Sequence, residues 1–352
     1  MAHLTKNFTS EAPLSLAVRE AISAAFEQGW ADPKKLSQAS GRAAILADSA
    51  KSSIAQALHT QPSQLEILGE PQLAHFIALG GYLRENTHLF TSTVDLGKIR
   101  AIARSHQGRT TQQGVDHHGA ILDDGLHLTP TSLFSLQAVN GETGISQELD
   151  RWRGSAGKVV VDATSALPSS DFVSGFSATT FSAQSWGGPS ALGFIAITDE
   201  KNFRYPLPHI APIRVPGSYS LPLLIGSAIA LDEMSKAVEE LPTLRNYLAE
   251  ALREMPSVTV LDGHAPSISN HLSIIVDGFA AEEILRALLT RDIAVDAGSA
   301  CSPEDLTPSH VIASMGFPTT GHLRFTIHRG MSKLDVDDLA RALQEVLENL
   351  LR

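Results

Sequence analysis

The sequence predicts an α/β protein: a largely parallel β-sheet between helices, followed by a smaller α+β unit. Three observations carry this. From Leu65 to Ile197, short apolar runs alternate with amphipathic helical stretches, the pattern of successive βαβ units. After Ser220 the pattern changes to long stretches rich in Leu, Ala, Glu and Lys, and then to strands and helices in a different order. The chain has 352 residues, too many for one small core, so two domains or one large domain with an appendage are expected.

The elements follow in order. Residues 10–29 read as a helix: Leu14, Val18, Ile22 and Phe26 recur at every fourth position, Pro13 suits a first turn and Gly29 can end it. Residues 40–58 form a second helix, with Ile45, Ile54 and Leu58 set among alanines. Leu65 to Leu68 is a short apolar strand, followed by a helix over 71–84 in which Gly80-Gly81 permits close packing of a neighbouring helix. His88 to Ser92 is the next strand, and a helix over 95–104 follows. Thr110 to Gly125 is polar and Gly-rich, as expected for turns between short strands. Leu133 to Val139 and Lys158 to Asp162 are strands. From Phe176, apolar and small residues lead to Phe181, then to a polar tip, Gly187-Gly188-Pro189 and the apolar run Leu192 to Ile197: a strand, a tight loop and a returning strand. Residues 222–253 suffice for one or two long helices. Val258 to Leu261, His271 to Val276, Ile293 to Asp296 and His322 to His328 are strands, and 279–290 and 335–351 are amphipathic helices. The domain boundary is expected inside the long helical region, near 235–245.

Composition narrows the function classes. The 43% hydrophobic and 18% charged content is that of a globular protein. A net charge of −11 without long acidic runs favours solubility and argues against a nucleic-acid or anionic-membrane partner. Met1 to Ser10 has no apolar segment of a secretory signal, and no run approaches the roughly 18 apolar residues of a membrane span. The single cysteine, Cys301, rules out an internal disulfide and suits a reducing cytoplasm, the expected location.

Three blocks and one loop carry a family resemblance. The first block is Gly298-Ser299-Ala300-Cys301, then Leu306-Thr307-Pro308-Ser309-His310-Val311, Gly316 and Leu323-Arg324-Phe325-Thr326. The second is Val139-Asn140-Gly141-Glu142-Thr143-Gly144 with Gln147, and the third is Val161-Asp162-Ala163-Thr164-Ser165. The loop is Ser182-Ala183-Gln184-Ser185-Trp186-Gly187-Gly188-Pro189 through Gly193. In this arrangement they resemble the cysteine desulfurases and related class V aminotransferases, whose loop reads Ser-x-His-Lys-x-x-Gly-Pro-x-x-x-Gly. The resemblance implies the pyridoxal 5′-phosphate (PLP) fold of type I, with a mixed, mainly parallel seven-stranded sheet in a large domain over 15–240. Residues 1–14 and 241–352 would form the small C-terminal domain. It also implies a homodimer and a sulfur-transfer or iron–sulfur assembly partner.

Residue by residue, the resemblance assigns Asp162 to the pyridine nitrogen of PLP, Arg324 and Asn140 to the substrate, and Cys301 to the thiolate that becomes a persulfide. Ser182 and Ser220 fall at phosphate-contacting positions. Gln184 stands at a His position, Leu96 at that of the ring-stacking His, and Ser185 at that of the Schiff-base Lys. Ser185 cannot form an imine, and an unassisted hydroxyl is too weak a base to move a Cα proton. The family's phosphate loop corresponds to Gly69-Glu70-Pro71-Gln72-Leu73, where Pro71 removes an N–H and Glu70 places a carboxylate near a dianion. Gly141 replaces a second Asn and Ser165 a Gln.

The preferred expectation is therefore a desulfurase-like pseudoenzyme without standard PLP catalysis, in sulfur handling or a partner or regulatory role. The alternatives are an enzyme holding PLP non-covalently through Asp162, Ser182 and Ser220, and an unrelated reaction in the same cleft. Glu304 and Asp305 would raise the Cys301 thiol pKa. Asp116-His117-His118 reads as a polar turn rather than a metal site, and Trp186 either fills volume left by lost cofactor contacts or is a core aromatic.

Overall fold

The structure is a computed structural model that describes residues 6–11, 13–28, 31–209, 219–298 and 308–351. Its centre is a seven-stranded sheet in the order β2 (Leu65–Leu68), β8 (Gly193–Ile197), β7 (Ala178–Ser182), β6 (Lys158–Asp162), β5 (Ser132–Gln137), β3 (His88–Ser92), β4 (Thr110–Gln113). Only β8 runs against its neighbours. Strands β5 to β8 are buried almost throughout, because helices cover both faces. Successive residues point to opposite faces. Leu133 and Val160 enter a core built with α3 (Pro71–Gly80) and α4 (Gly97–Ser105). Phe134, Val159 and Val161 enter the main core, shared with α1 (Leu16–Gln28), α2 (Gln38–Ala57) and α5 (Leu221–Ser235). The polar β4 takes the sheet edge, where its exposed Thr and Gln side chains discourage further pairing.

The second sheet is antiparallel, in the order β12 (Asp296–Ala297), β13 (His322–Thr326), β10 (His271–Val276), β9 (Val258–Leu261). It is joined by α6 (Glu240–Arg253), α7 (Ala281–Leu289), α8 (His310–Ser314) and α9 (Lys333–Leu350), which starts in a Ser332/Asp335 capping box. The chain's start joins this unit. β1 (Lys6–Asn7) pairs in parallel with β11 (Ile293–Ala294), and Phe8 N–H donates to Ala294 O at 2.8 Å.

Several expectations are corrected in detail. The run 293–296 is two strands in two sheets, since β11 pairs β1 while β12 pairs β13. The first helix begins only at Leu16, whereas the helical run after Ser220 forms two helices, α5 and α6, one of the two arrangements expected. α3 stops at Gly80, and the neighbour that Gly80 and Gly81 admit is the irregular segment with Phe203 and Pro206, not a helix. A Cβ at Gly81 would lie 2.0 Å from the Phe203 ring, so the close approach needs glycine.

Candidate functional site

Parallel strands deliver their carboxyl ends to one edge of a sheet, where the outgoing loops converge. Here that edge gathers the segment after β2 that opens α3, the segment from Ser92 to Lys98, the turn from Gln137 to Thr143, Asp162 to Ser165, and Ser182 to Trp186. The fold thus brings together Asp162, Asn140, Leu96, Ser182, Gln184 and Ser185 from four strand ends and loops. Ser220 stands at the N-cap of α5 and makes no side-chain capping bond. Cys301, Glu304 and Asp305 lie outside the described residues.

Asp162 is 4% exposed at the end of β6. One carboxylate oxygen accepts from Thr164 N at 3.0 Å and from Thr164 Oγ1 at 2.6 Å. The other lies 3.0 Å from His75 Nε2 on α3. That approach is of ion-pair length but out of line for a hydrogen bond, and neither His75 ring nitrogen makes one among the described residues. Burial alone would raise the carboxyl, but His75 and Thr164 outweigh it and hold Asp162 at about 2. A second carboxyl, Asp95, is 1% exposed and accepts from Ser92 N at 2.8 Å. Burial pushes it up to about 8 against the pull of the Ser92 N–H, and the charge of Asp162 adds to the rise. Two carboxyls at one strand edge are driven apart, one ionised and one holding its proton at neutral pH.

The loop after β7 makes a short 3₁₀ turn over Ala183–Trp186 and closes at Gly187 with φ 75°. Ser185 Oγ donates to Ser182 O at 2.9 Å, so the hydroxyl caps its own turn. Gln184 is exposed and Ser182 buried. Trp186 is 1% exposed, donates from Nε1 to Ser227 Oγ at 3.3 Å and packs on Phe194: it is a core aromatic. Leu96, the N-cap of α4, packs into the core of α3 and α4. At the start of α3, the Glu70 carboxylate accepts from Gln72 N at 2.9 Å and caps the helix, and Pro71 offers no N–H.

Asn140 is fully engaged. Its Nδ2 donates to Val94 O and Gln137 Oε1, and its Oδ1 accepts from the N–H groups of Glu142 and Thr143. Arg324 Nη2 donates to Asp296 at 2.7 Å, and Nη1 donates to Gly141 O at 2.8 Å. Among the described residues its buried Nε has no partner. Gly141 and Ser165 touch: a Cβ at 141 would lie 2.5 Å from Ser165 Oγ.

Beside Arg324 buried atoms of the His322 and Glu142 side chains meet, a pair that the sequence did not reveal. Ser273 Oγ donates its only proton to Glu142 O at 2.6 Å, so at 3.1 Å it must accept from His322 Nε2. His322 Nδ1 is then a bare lone pair, 3.5 Å from Glu142 Oε1, and both atoms are buried and make no hydrogen bond among the described residues. A proton on Glu142 relieves this apposition. Burial raises the Glu142 carboxyl against the Ser309 hydroxyl, His310 and Arg324, while burial and Arg324 bring His322 down to about 4. His75, Asp95 and His322 were all missed. The available signal was a lone polar residue in an apolar helical run, clearest for His75 in Leu73-Ala74-His75-Phe76-Ile77.

The Asp116 carboxylate is taken by the N–H groups of His118 and Ala120 and by His264 Nε2 at 2.7 Å. A cavity of about 420 Å³ nearby, lined by Arg245, Arg253, Asp262 and His264, includes none of the strand-edge residues. Both arginines pair with Asp262, and Glu250 also lines the cavity, so two acidic side chains balance the two arginines.

This fold, with its site at the carboxyl edge of the large sheet, is that of the PLP-dependent proteins of fold type I. The chain superposes on a NifS-like protein with a TM-score of 0.83 and 18% identity, covering 97% of this chain and 99% of that one. Cysteine desulfurase from Thermococcus onnurineus NA1 gives 0.83 and 16%, covering 98% and 95%. The aminotransferase class-V family model matches residues 214–339. Cysteine desulfurase 2 of Trichormus variabilis is 28% identical over 76% of this chain and 72% of the relative. Cysteine desulfurase IscS of Dictyoglomus turgidum is 22% identical over 98% and 94%. In motif order, fold and sequence the chain is similar to the cysteine desulfurases and to the class V aminotransferases.

Proposed function

We propose that this chain is a cysteine desulfurase-like protein that does not run lysine-based PLP chemistry and serves in sulfur handling or as a partner or regulatory subunit. The observation that carries the reading is Ser185, whose Oγ is tied to Ser182 O at 2.9 Å where the family resemblance expects an amine. A hydroxyl does not condense with an aldehyde, and without a base it takes no Cα proton. The phosphate end supports the same reading. A dianion needs free N–H groups at a helix start, and at α3 the Glu70 carboxylate already holds one of them. PLP is the cofactor that the family suggests, but these residues do not fit it in the family's manner, and no step through it is derived.

Asp162 has the charge to partner a pyridinium, although Thr164 and His75 already meet both of its oxygens. Ser182, Gln184, Ser220 and Leu96 belong to the same proposed cofactor cleft. Asn140 and Arg324 are the proposed substrate side, and Cys301 the sulfur-carrying thiol. In this reading, residues 15–240 form the large domain, and residues 1–14 with 241–352 the small one. A second copy would cover exposed apolar side chains of α1 and α2, among them Leu16, Phe26 and Ile45. The test is a titration of purified protein with PLP, followed by absorbance and by sulfide release from L-cysteine. The expected result is no retained PLP band and no sulfide. A stoichiometric band surviving gel filtration would replace this reading with a non-covalent PLP enzyme.

A further inference from the structure

Arg324 reaches the carboxyl edge of the large sheet from the second sheet, and it arrives already paired. β12 and β13 run antiparallel with Asp296 directly opposite Arg324, so the backbone register sets the two side chains next to each other. Arg324 Nη2 donates to Asp296 Oδ2 at 2.7 Å and to Ser10 Oγ at 3.2 Å, and Nη1 donates to Gly141 O at 2.8 Å. Gly141 follows Asn140 in its turn and touches Ser165, which lies three residues past Asp162. The guanidinium therefore stands against the turns that carry Asn140 and Asp162. Asp296 is equally engaged, since the same Oδ2 accepts from Ser10 N at 2.7 Å. The Arg324 and Asp296 side chains are 16% and 22% exposed, so little water competes for the pair. Burial pushes the Asp296 carboxyl up, but Arg324 and Ser10 outweigh it and hold it below the usual carboxylate range.

We propose that Asp296 determines the specificity of this cleft: it occupies Arg324 as an internal carboxylate and shuts out ligands that bind through a carboxylate of their own, free amino acids among them. The inference rests on the reading of Arg324 as the substrate side and deepens it by naming the excluded class. A guanidinium binds a carboxylate best through two parallel N–H groups. Here Gly141 O takes Nη1, and Asp296 with Ser10 takes Nη2. An incoming carboxylate has to displace one that the strand pairing holds in place, and an internal group competes at a high effective concentration. Once displaced, Asp296 is left charged, partly buried and beside a second negative group, which costs both solvation and repulsion. A ligand without a carboxylate meets neither cost. The proposed sulfur handling then starts from a donor other than a free amino acid.

The test is calorimetric titration of the full chain at pH 7 with formate, acetate and L-alanine. Wild type is compared with Asp296→Ala and with Asp296→Ala combined with Arg324→Gln, folding being checked by circular dichroism. Asp296→Ala removes a carboxylate and leaves space of the size of formate against Arg324. Wild type should show no saturable binding. Asp296→Ala should bind formate and L-alanine at least about tenfold more tightly than wild type, the effect of one hydrogen bond to a charged group. Formate should also raise the Tm of Asp296→Ala, and adding Arg324→Gln should abolish both effects. Asp296→Ser, whose hydroxyl can still accept from the Ser10 N–H, takes the place of Asp296→Ala if the latter does not fold. Binding of L-alanine by wild type as tight as by Asp296→Ala, and lost with Arg324→Gln, would overturn the exclusion while leaving Arg324 as the substrate side. Absence of carboxylate binding in a folded Asp296 variant would overturn the reading of Arg324 itself, and the inference with it.

Discussion

Asp95→Asn should make the protein more stable than wild type at neutral pH, by an amount that grows with pH. Asn keeps the shape of Asp95 and an acceptor for the Ser92 N–H, now 2.8 Å from Oδ2, but has no proton to gain on folding. In the unfolded chain an aspartate titrates at about 3.9. In the folded protein burial pushes Asp95 up to about 8. A carboxyl whose pKa is raised on folding has its full stability below the unfolded value and loses it as pH rises toward the folded one. At pH 7 the gap corresponds to a cost of about 4 kcal/mol, from roughly three pH units at about 1.4 kcal/mol each. The contributions of Asp162, held at about 2, and His322, brought down to about 4, are present in both proteins and drop out of the difference. Equilibrium urea unfolding of both proteins at pH 5, 6, 7 and 8 measures this. The difference in unfolding free energy should climb by about 1.4 kcal/mol per unit and level off near pH 8. A difference that stays flat over this range would show that Asp95 is ionised in the folded protein and that the reasoning from burial is wrong.

Restoring the amine by Ser185→Lys should not yield sulfide from L-cysteine, because Leu96 still packs into the core and Glu70 still caps α3. Sulfide production at the rate of an active desulfurase would refute the multiply altered site. Cys301, set among Gly298, Ser299, Ala300 and Pro303, should react completely with a thiol reagent in the folded protein, at the rate of an ordinary free cysteine. L-cysteine alone should leave no one-sulfur adduct on it, and mass spectrometry reads both results. A thiol that stays unlabelled would place it in the core. Light scattering at micromolar concentration should return the mass of a dimer, and a monomer would rule out the covering of α1 and α2 by a second copy.

Much of the architecture was legible in the chain, for a local reason. The strands Leu65–Leu68, His88–Ser92, Lys158–Asp162 and His271–Val276 fall where apolar runs bounded by turn residues put them. Burial on both faces demands continuous hydrophobicity, which one sequence displays. The motif order from Asn140 through Asp162 and Ser185 to Arg324 pointed to the family, and Ser185 itself posed the functional question. Element ends were less legible. Gly80 ends α3 because its neighbour is the segment of Phe203 and Pro206, and 293–296 divides because its two halves meet different partners. The site's electrostatics belonged to the tertiary structure alone. His75 meets Asp162, Glu142 meets His322, and Lys98 feels Asp162 and Glu70 only once the sheet is assembled. A residue's type supplies its donors and its ordinary pKa, whereas the cost of charging it is set by the water it loses and by the groups that distant segments bring against it.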